Sequence, residues 1–152
     1  MSEKGERRVV TLDELVAQLD LIRAEASRLR DLLNQLVAER DLIARAKEGI
    51  DAIVKSSPDS PVLFPLSTGY VALMEARPQY RDKVIVHLGA DVYAKVDVSE
   101  GLRLLSEDEG QLSRAVEEVA RRLGEVERLQ GQYEAVIQQA LAAAGAREAQ
   151  GK

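Results

Sequence analysis

Several residue types that stabilise ordinary globular domains are scarce or absent in this sequence. It has no cysteine and no tryptophan, and aromatic residues make up only 3% of its 152 residues. Without cysteine, the chain has no disulfide, no thiolate metal site and no thiol nucleophile. Because aromatic rings fill much of a typical globular core, their scarcity disfavours that kind of core.

Basic charge and long apolar runs are also scarce. Asp and Glu number 26 against 21 Lys and Arg, which gives a net charge of −5. This balance disfavours nucleic-acid binding, which needs a basic face for the phosphates. No apolar run reaches the roughly 18 residues of a membrane span, and no secretory signal follows the charged start MSEKGERRVV. We therefore expect a cytoplasmic protein that contacts neither membranes nor nucleic acid.

The residues that are present favour long helices. Leu, Ala, Val, Glu, Arg and Gln dominate, a composition typical of coiled coils. In a first arm over residues 11–55, one heptad position, assigned as d, holds only leucine or isoleucine: Leu15, Ile22, Leu29, Leu36, Ile43 and Ile50. The a position holds Leu12, Leu19, Ala26, Leu33, Arg40, Lys47 and Val54. Heptads sustained over this length predict a coiled-coil helix, and Thr11 with Glu14 predicts a capping box at its start.

A second arm over residues 99–144 has a weaker but continuous seam, the stripe formed by its a and d positions. Its d series is Leu105, Leu112, Val119, Val126, Tyr133 and Ala140, and its a series is Leu102, Glu109, Val116, Leu123, Gln130, Ile137 and Ala144. Ser99 is the expected N-cap, and residues 145–152 are expected to form a flexible tail.

The two arms have about the same length, roughly 66 Å each at 1.5 Å per residue. Equal length favours antiparallel pairing of the two arms within one chain. The alternative is that each arm pairs with another chain. Arg40 and Lys47 interrupt the apolar a series, and we expect them to extend their stems along the seam or to help set its register.

Between the arms the pattern changes from helix to strand. Two prolines in SSPDSP, residues 56–61, end the first arm. Four short strand-like runs follow at residues 62–66, 70–77, 83–88 and 92–98, with turn-like linkers between them. They predict two consecutive β-hairpins, in which Pro65 marks an edge strand. The predicted fold class is mainly α with a small β part, an antiparallel two-helix coiled-coil hairpin joined by two central β-hairpins.

The apolar faces of these hairpins need cover. Short hairpins are only marginally stable alone, and their free strand edges invite pairing with other chains. The helices offer a thin seam that is already occupied. We therefore expect oligomerisation through the β segment. A small monomeric sheet that folds back on the helix roots is the alternative.

No catalytic constellation is visible in the sequence. His87 is the only histidine. It lies in the alternating run VIVHL, and no partners for a metal site or a catalytic triad accompany it. The STG and GAD segments lack the spacing of a phosphate loop. We expect no enzymatic activity, no cofactor and no metal.

The free ends of the two arms are the remaining candidate for a functional surface. In an antiparallel pair, the start of the first arm lies beside the end of the second. Exposed apolar surface at a shallow two-helix end suits loose binding of another apolar chain, although it can also simply close the tip. The candidate residues are Val9, Val10, Leu12, Leu15, Val16, Leu19, Ile137, Ala140, Leu141 and Ala144.

Two stretches in the middle of the chain resemble a known family. VLFPLSTGY at residues 62–70 and KVIVHLGADVYAKVDVSEGLRLL at residues 83–105, set between two heptad arms, resemble the archaeal prefoldin α subunits over residues 12–144. Asp91 departs from the pattern, because the family usually has a further glycine there. This departure concerns the second turn and leaves the fold unchanged.

The resemblance implies a single prefoldin-like domain over residues 1–152 and an ATP-independent chaperone. Two α and four β subunits would assemble into a hexamer, hold non-native client proteins at the arm tips and pass them to a group II chaperonin. The residues implied in assembly are Val62, Phe64, Pro65, Leu66, Gly69, Tyr70, Val84, Val86 and Gly89. Alternatives are a structural scaffold or filament-forming subunit without client transfer, and an accessory of a transcription complex.

Overall fold

The chain forms two long helices with two small β-hairpins between them, as the heptads and strand runs predict. The computed structural model describes residues 9–151. In chain order the elements are α1 (Leu12–Lys55), β1 (Val62–Pro65), β2 (Leu73–Ala76), β3 (Lys83–Gly89), β4 (Val92–Asp97) and α2 (Val98–Gln150). The predicted fold class is confirmed. No helix within the described residues is long and apolar enough to cross a membrane.

Helix α1 begins at the predicted capping box. The Thr11 N–H donates to Glu14 Oε2 at 3.0 Å, and the Glu14 N–H donates to Thr11 Oγ1 at 3.2 Å. These two bonds satisfy backbone donors that the first helical turn otherwise leaves without partners.

Helix α2 differs from its prediction at both ends. Strand β4 continues directly into α2, and Val98 rather than Ser99 is its first residue. The Val98 N–H donates to the Asp82 carbonyl at 2.9 Å. At the other end α2 extends to Gln150, so the helix continues where a flexible tail was predicted. The alanine-rich sequence there has no proline, and alanine, arginine and glutamate favour helix strongly enough to tolerate Gly145.

The chain divides into two compact units. The arm unit consists of Met1–Gln35 and Ala115–Lys152, and the hairpin unit consists of Leu36–Arg114. In the arm unit the core is the predicted seam. Its most closely packed part contains Ala26, Leu29 and Leu123, with Leu33, Val119 and Val126 packed against them. All six residues are at predicted a or d positions.

Ion pairs show that the helices run antiparallel. Three pairs cross the seam of the arm unit: Arg23–Glu134 at 3.0 Å, Arg30–Glu127 at 2.7 Å and Glu25–Arg122 at 3.4 Å. The first two join e positions and the third joins g positions, the flanking heptad sites that commonly carry interhelical salt bridges. The seam of the arm unit is therefore closed within one chain.

The hairpin unit contains a charged pair inside its own part of the seam. Lys47 and Glu109 both occupy a positions, and their side chains form an ion pair of 2.5 Å. Each side chain is about one-third exposed. Lys47 thus has a specific partner on α2, in line with the expectation that it helps to set the register.

The strands form two separate antiparallel sheets of two strands each, β1 with β2 and β3 with β4. Every strand of a two-stranded sheet is an edge strand, which agrees with the interpretation of Pro65. Pro65 ends β1 opposite Leu73.

The turn between β3 and β4 requires left-handed backbone at consecutive residues. Ala90 and Asp91 have φ values of 48° and 59°, after Gly89 at 99°. Two positive φ values in succession are typical of a type I′ hairpin turn. Aspartate tolerates this conformation better than most residues, so the turn accommodates Asp91 where the family that the sequence resembles usually has glycine.

One face of the β3–β4 sheet packs on the start of α2. Gly101 is buried there, and a Cβ atom at this position would overlap the Val84 Cγ1 methyl and contact Val86 and Val96. This face of the sheet is therefore covered by the start of α2. Such packing on a helix root was the alternative to oligomerisation. The absence of a side chain at Gly101 permits the close approach.

We expect Gly101→Ala to lower the free energy of unfolding. Overpacking a filled contact costs about 1–3 kcal/mol, which exceeds the gain of about 1 kcal/mol in helix propensity. Gly124→Ala is the matched control, because Gly124 is also helical and has open space around it. It should stabilise the chain by roughly 0.5–1 kcal/mol. Urea unfolding followed by circular dichroism measures both changes, and equal stabilisation by the two substitutions would contradict the packing role of Gly101.

Candidate interaction surfaces

The first hairpin leaves most of its apolar side chains exposed. Seven large apolar residues in and around β1 and β2 are exposed: Leu63, Phe64, Leu66, Tyr70, Val71, Leu73 and Met74. Of the residues expected in assembly, Pro65 and Gly69 are also exposed and Val62 is half-buried. A cluster of this size is typical of an interaction surface.

The second hairpin has one covered face and one exposed face. Val84 is half-buried and Val86 is only 4% exposed, and both lie on the side that packs on Gly101. These two expected assembly residues are therefore already used within the chain. On the other face Ile85 and Tyr93 are exposed.

His87 lies on the exposed face of β3 and packs on Tyr93, with 4.9 Å between ring centroids. No group of His, Asp and Glu within residues 9–151 is arranged to hold a metal ion. The contact between His87 and Tyr93 is a cross-strand pair of two aromatic rings.

Arg81, in the linker between the hairpins, caps the end of α1. Its Nη1 donates to the carbonyls of Ile53 and Ser56 at 2.9 and 3.2 Å and to Ser56 Oγ at 2.7 Å. Its Nη2 donates to the Ser60 carbonyl at 3.0 Å. A guanidinium at this position satisfies carbonyls that the helix end leaves without partners and complements the helix dipole. The sequence pattern indicated only a turn here, because nothing local links residue 81 to residue 53.

Two further contacts order the second hairpin. Lys95 lies over the Tyr80 ring at 4.2 Å from its centroid. Lys83 forms an ion pair with Asp97 across the sheet. The hydrogen bond to the Asp97 carboxylate favours the charged ammonium and raises the pKa of Lys83.

The predicted client-contact residues at the end of the arm unit divide into two groups. Leu19 and Ile137 are only 5% and 9% exposed, because both are a positions in the closed seam. They therefore support the coiled coil and offer little surface. The other eight remain accessible: Leu15 is half-buried, and Val9, Val10, Leu12, Val16, Ala140, Leu141 and Ala144 are exposed.

Both sides of the arm unit combine ion pairs with exposed apolar residues. The e side carries the Arg23–Glu134 and Arg30–Glu127 ion pairs and the exposed residues Val16 and Leu141. The g side carries the longer Glu25–Arg122 pair and three exposed apolar residues, Leu32, Leu129 and Val136. Leu32 and Leu129 were not identified as candidates from the sequence, although their g positions place them next to the seam.

Glu134 is the centre of a polar network on the e side. Gln130 Nε2 and Arg23 Nη2 each donate to Glu134 Oε1 at 3.0 Å. The hydrogen bonds from Gln130 and Arg23 stabilise the charged carboxylate and lower the pKa of Glu134.

Comparison with known proteins identifies similar sequences over most of the chain. The family model described as Prefoldin subunit matches residues 12–145. Prefoldin subunit alpha of Aeropyrum pernix is 32% identical over 137 residues, which cover 90% of this chain and 89% of that protein. Prefoldin subunit alpha of Saccharolobus solfataricus is 30% identical over 139 residues, 91% of this chain and 93% of that protein.

A solved structure has the same fold. The cryo-EM structure of filamentous PFD from Methanocaldococcus jannaschii matches with a TM-score of 0.64 and 20% sequence identity. The match covers 84% of this chain and 98% of that one. At this identity the likeness concerns the fold alone.

The lowered pKa of Glu134 predicts an acid-sensitive contribution to arm stability. A carboxyl whose pKa is lower in the folded state contributes stability above its unfolded pKa, and this contribution is lost as the pH falls through the folded value. The loss should therefore begin below about pH 4.5. We expect thermal melting of Glu134→Gln to depend less on pH in that window than melting of the unmodified chain. Glu117→Gln, at an exposed outward position of α2, is the control, and identical pH profiles for the two variants would contradict the prediction.

Proposed function

We propose that this chain, which belongs to the prefoldin family, is a subunit of an ATP-independent chaperone that holds unfolded proteins. Family membership supports a chaperone-type role and assembly with other prefoldin subunits. One observation supports the holding function most directly. Large apolar side chains remain exposed both on the first hairpin and at the end of the arm unit. Two such surfaces suit a protein that binds partner subunits with one and clients with the other.

The hairpins are the proposed assembly surface. The first hairpin contributes Phe64, Leu66 and Tyr70, and the exposed face of the second contributes Ile85 and Tyr93. Free edges on both sheets add unpaired backbone donors and acceptors that a strand from another subunit can pair with. The proposed partners are β-type prefoldin subunits, in a hexamer of two α and four β subunits.

The exposed end of the arm unit is the proposed client surface. Val9, Val10, Val16, Val136 and Leu141 expose aliphatic side chains there. Aliphatic surface without directional polar groups suits non-native segments of many sequences, because apolar burial does not depend on orientation. We further propose that the held client passes to a group II chaperonin, without catalysis by this chain.

A filament-forming subunit is a second candidate. The structural neighbour is filamentous, and free strand edges suit open-ended growth as well as closed assembly. Analytical ultracentrifugation separates the two states. A closed complex has one defined mass, whereas a filament grows with concentration.

Charge on the exposed hairpin faces should prevent assembly. We expect Tyr70→Glu and Ile85→Glu to abolish the complex with a β-type partner in native mass spectrometry, because each would bury an unpaired carboxylate at the interface. Leu42→Glu is the matched control, since Leu42 is an equally exposed apolar residue of α1 outside the hairpins. An undiminished complex with both hairpin variants would contradict the assigned surface.

The assembled complex should suppress aggregation of a chemically denatured client in the absence of ATP. We expect the combined Val10→Ser, Val16→Ser and Leu141→Ser variant to assemble normally and to protect the client less, because it removes apolar contact area at the arm end. Leu42→Ser controls for loss of an exposed leucine elsewhere, and light scattering reports the outcome. Failure of the unmodified complex to protect would refute the holding function, whereas full protection by the triple variant would refute only the client surface.

A further inference from the structure

The hairpin unit contains a cavity of about 130 Å³. It is partly open and lies where the end of α1, the first hairpin, the linker between the hairpins, β3 and the first residue of α2 meet. Its walls include Ile53, Val54, Phe64, Tyr80, Arg81 and Val84. Of these residues only Phe64 belongs to the proposed assembly surface.

The size of the cavity indicates what it can hold. Pockets for metabolites and drug-sized ligands usually measure about 300–1,000 Å³, so this cavity is too small for them. An engineered apolar cavity of about 150 Å³ holds one benzene molecule. The cavity therefore matches a single large apolar side chain.

The rim of the cavity is apolar and accessible. Val54, Phe64 and Tyr80 line it and are 48%, 44% and 53% exposed. Isolated exposed apolar residues need no explanation, but three around one concavity resemble the pockets that receive anchor residues at protein interfaces.

Arg81 gives the cavity one fixed polar wall. Its two terminal nitrogens bond to carbonyls at the end of α1 and in the turn that follows, and Lys83 also lines the cavity. The other lining residues are aliphatic or aromatic. An apolar group therefore fits the cavity best.

We propose that this cavity receives one large apolar side chain of a β-type prefoldin subunit. The inference rests on the proposed function, because the occupant belongs to the partner subunit named there. Continuity favours a subunit over a client. Phe64 lines the cavity and also belongs to the exposed surface of the first hairpin, so a subunit docked on that hairpin reaches the cavity directly.

Filling the cavity from within the chain tests the proposal. Val54→Phe places a ring at the rim, and Leu42→Phe adds the same ring at an exposed position of the same helix that does not line the cavity. We expect Val54→Phe to weaken binding of the β-type partner by about tenfold or more, as for loss of an interface anchor. Leu42→Phe should change it by less than about twofold, as is usual for surface substitutions. Titration followed by native mass spectrometry measures both, and circular dichroism confirms that the variants fold.

A measurement on the unmodified chain makes the test independent of variant folding. Benzene is the probe, and methyl resonances of Ile53, Val54 and Val84 are the readout. Benzene should shift these resonances in the free chain and leave them unchanged in the complex, where the partner side chain occupies the cavity. The same benzene response in both states would overturn the proposal.

The outcomes separate this inference from the proposed function. If Val54→Phe binds the partner as tightly as Leu42→Phe while the unmodified complex assembles, only the cavity proposal fails. If the unmodified chain does not assemble with the partner, both proposals fail. If Val54→Phe instead abolishes self-association of the chain alone, the occupant is a second copy, and the stated partner is wrong.

Discussion

The apolar a and d residues of α1 and α2 pack against each other within a single chain. The resulting seam is covered by only these two helices. A two-helix coiled coil buries the a and d positions and has no third layer to cover the rest. In the arm unit this explains why Ala26, Leu29 and Leu123 form a core while Leu129 and Val136, at g, remain exposed. The exposed apolar surface follows directly from the thinness of the seam, and the proposed client surface depends on it.

The hairpin unit also has too few packed layers to cover all of its apolar side chains. The second hairpin covers one face because Gly101 lets α2 approach Val84 and Val86 closely. The first hairpin keeps seven large apolar side chains exposed. Arg81 holds the linker between the hairpins against the end of α1, which gives the cavity a defined wall. An exposed hairpin beside an ordered wall is a surface suited to rigid docking of a partner.

Sequence patterns predicted what depends on local chemistry or on periodicity. The d series from Leu15 to Ile50, the Thr11–Glu14 capping box and both hairpins follow from such patterns. The contacts of Gly101 and Arg81 could not be predicted, because each joins residues that are far apart in the sequence. The burial of Val86 and Ile137, which were predicted to contact partners, could not be predicted for a related reason. Alternation and heptads show which residues share an apolar face, but they do not show whether that face is covered within the chain.

The Lys47–Glu109 pair disfavours pairing of the two helices in the wrong heptad register within the hairpin unit. Most layers of the seam are aliphatic and would tolerate a shift by one heptad with little loss of apolar contact. Such a shift would place the Lys47 ammonium among aliphatic side chains and leave the Glu109 carboxylate without its partner, at positions that are only about one-third exposed. An unpaired charge with restricted access to water is costly. Lys47 and Glu109 make the seam less apolar, but their pairing favours the correct register of the two helices.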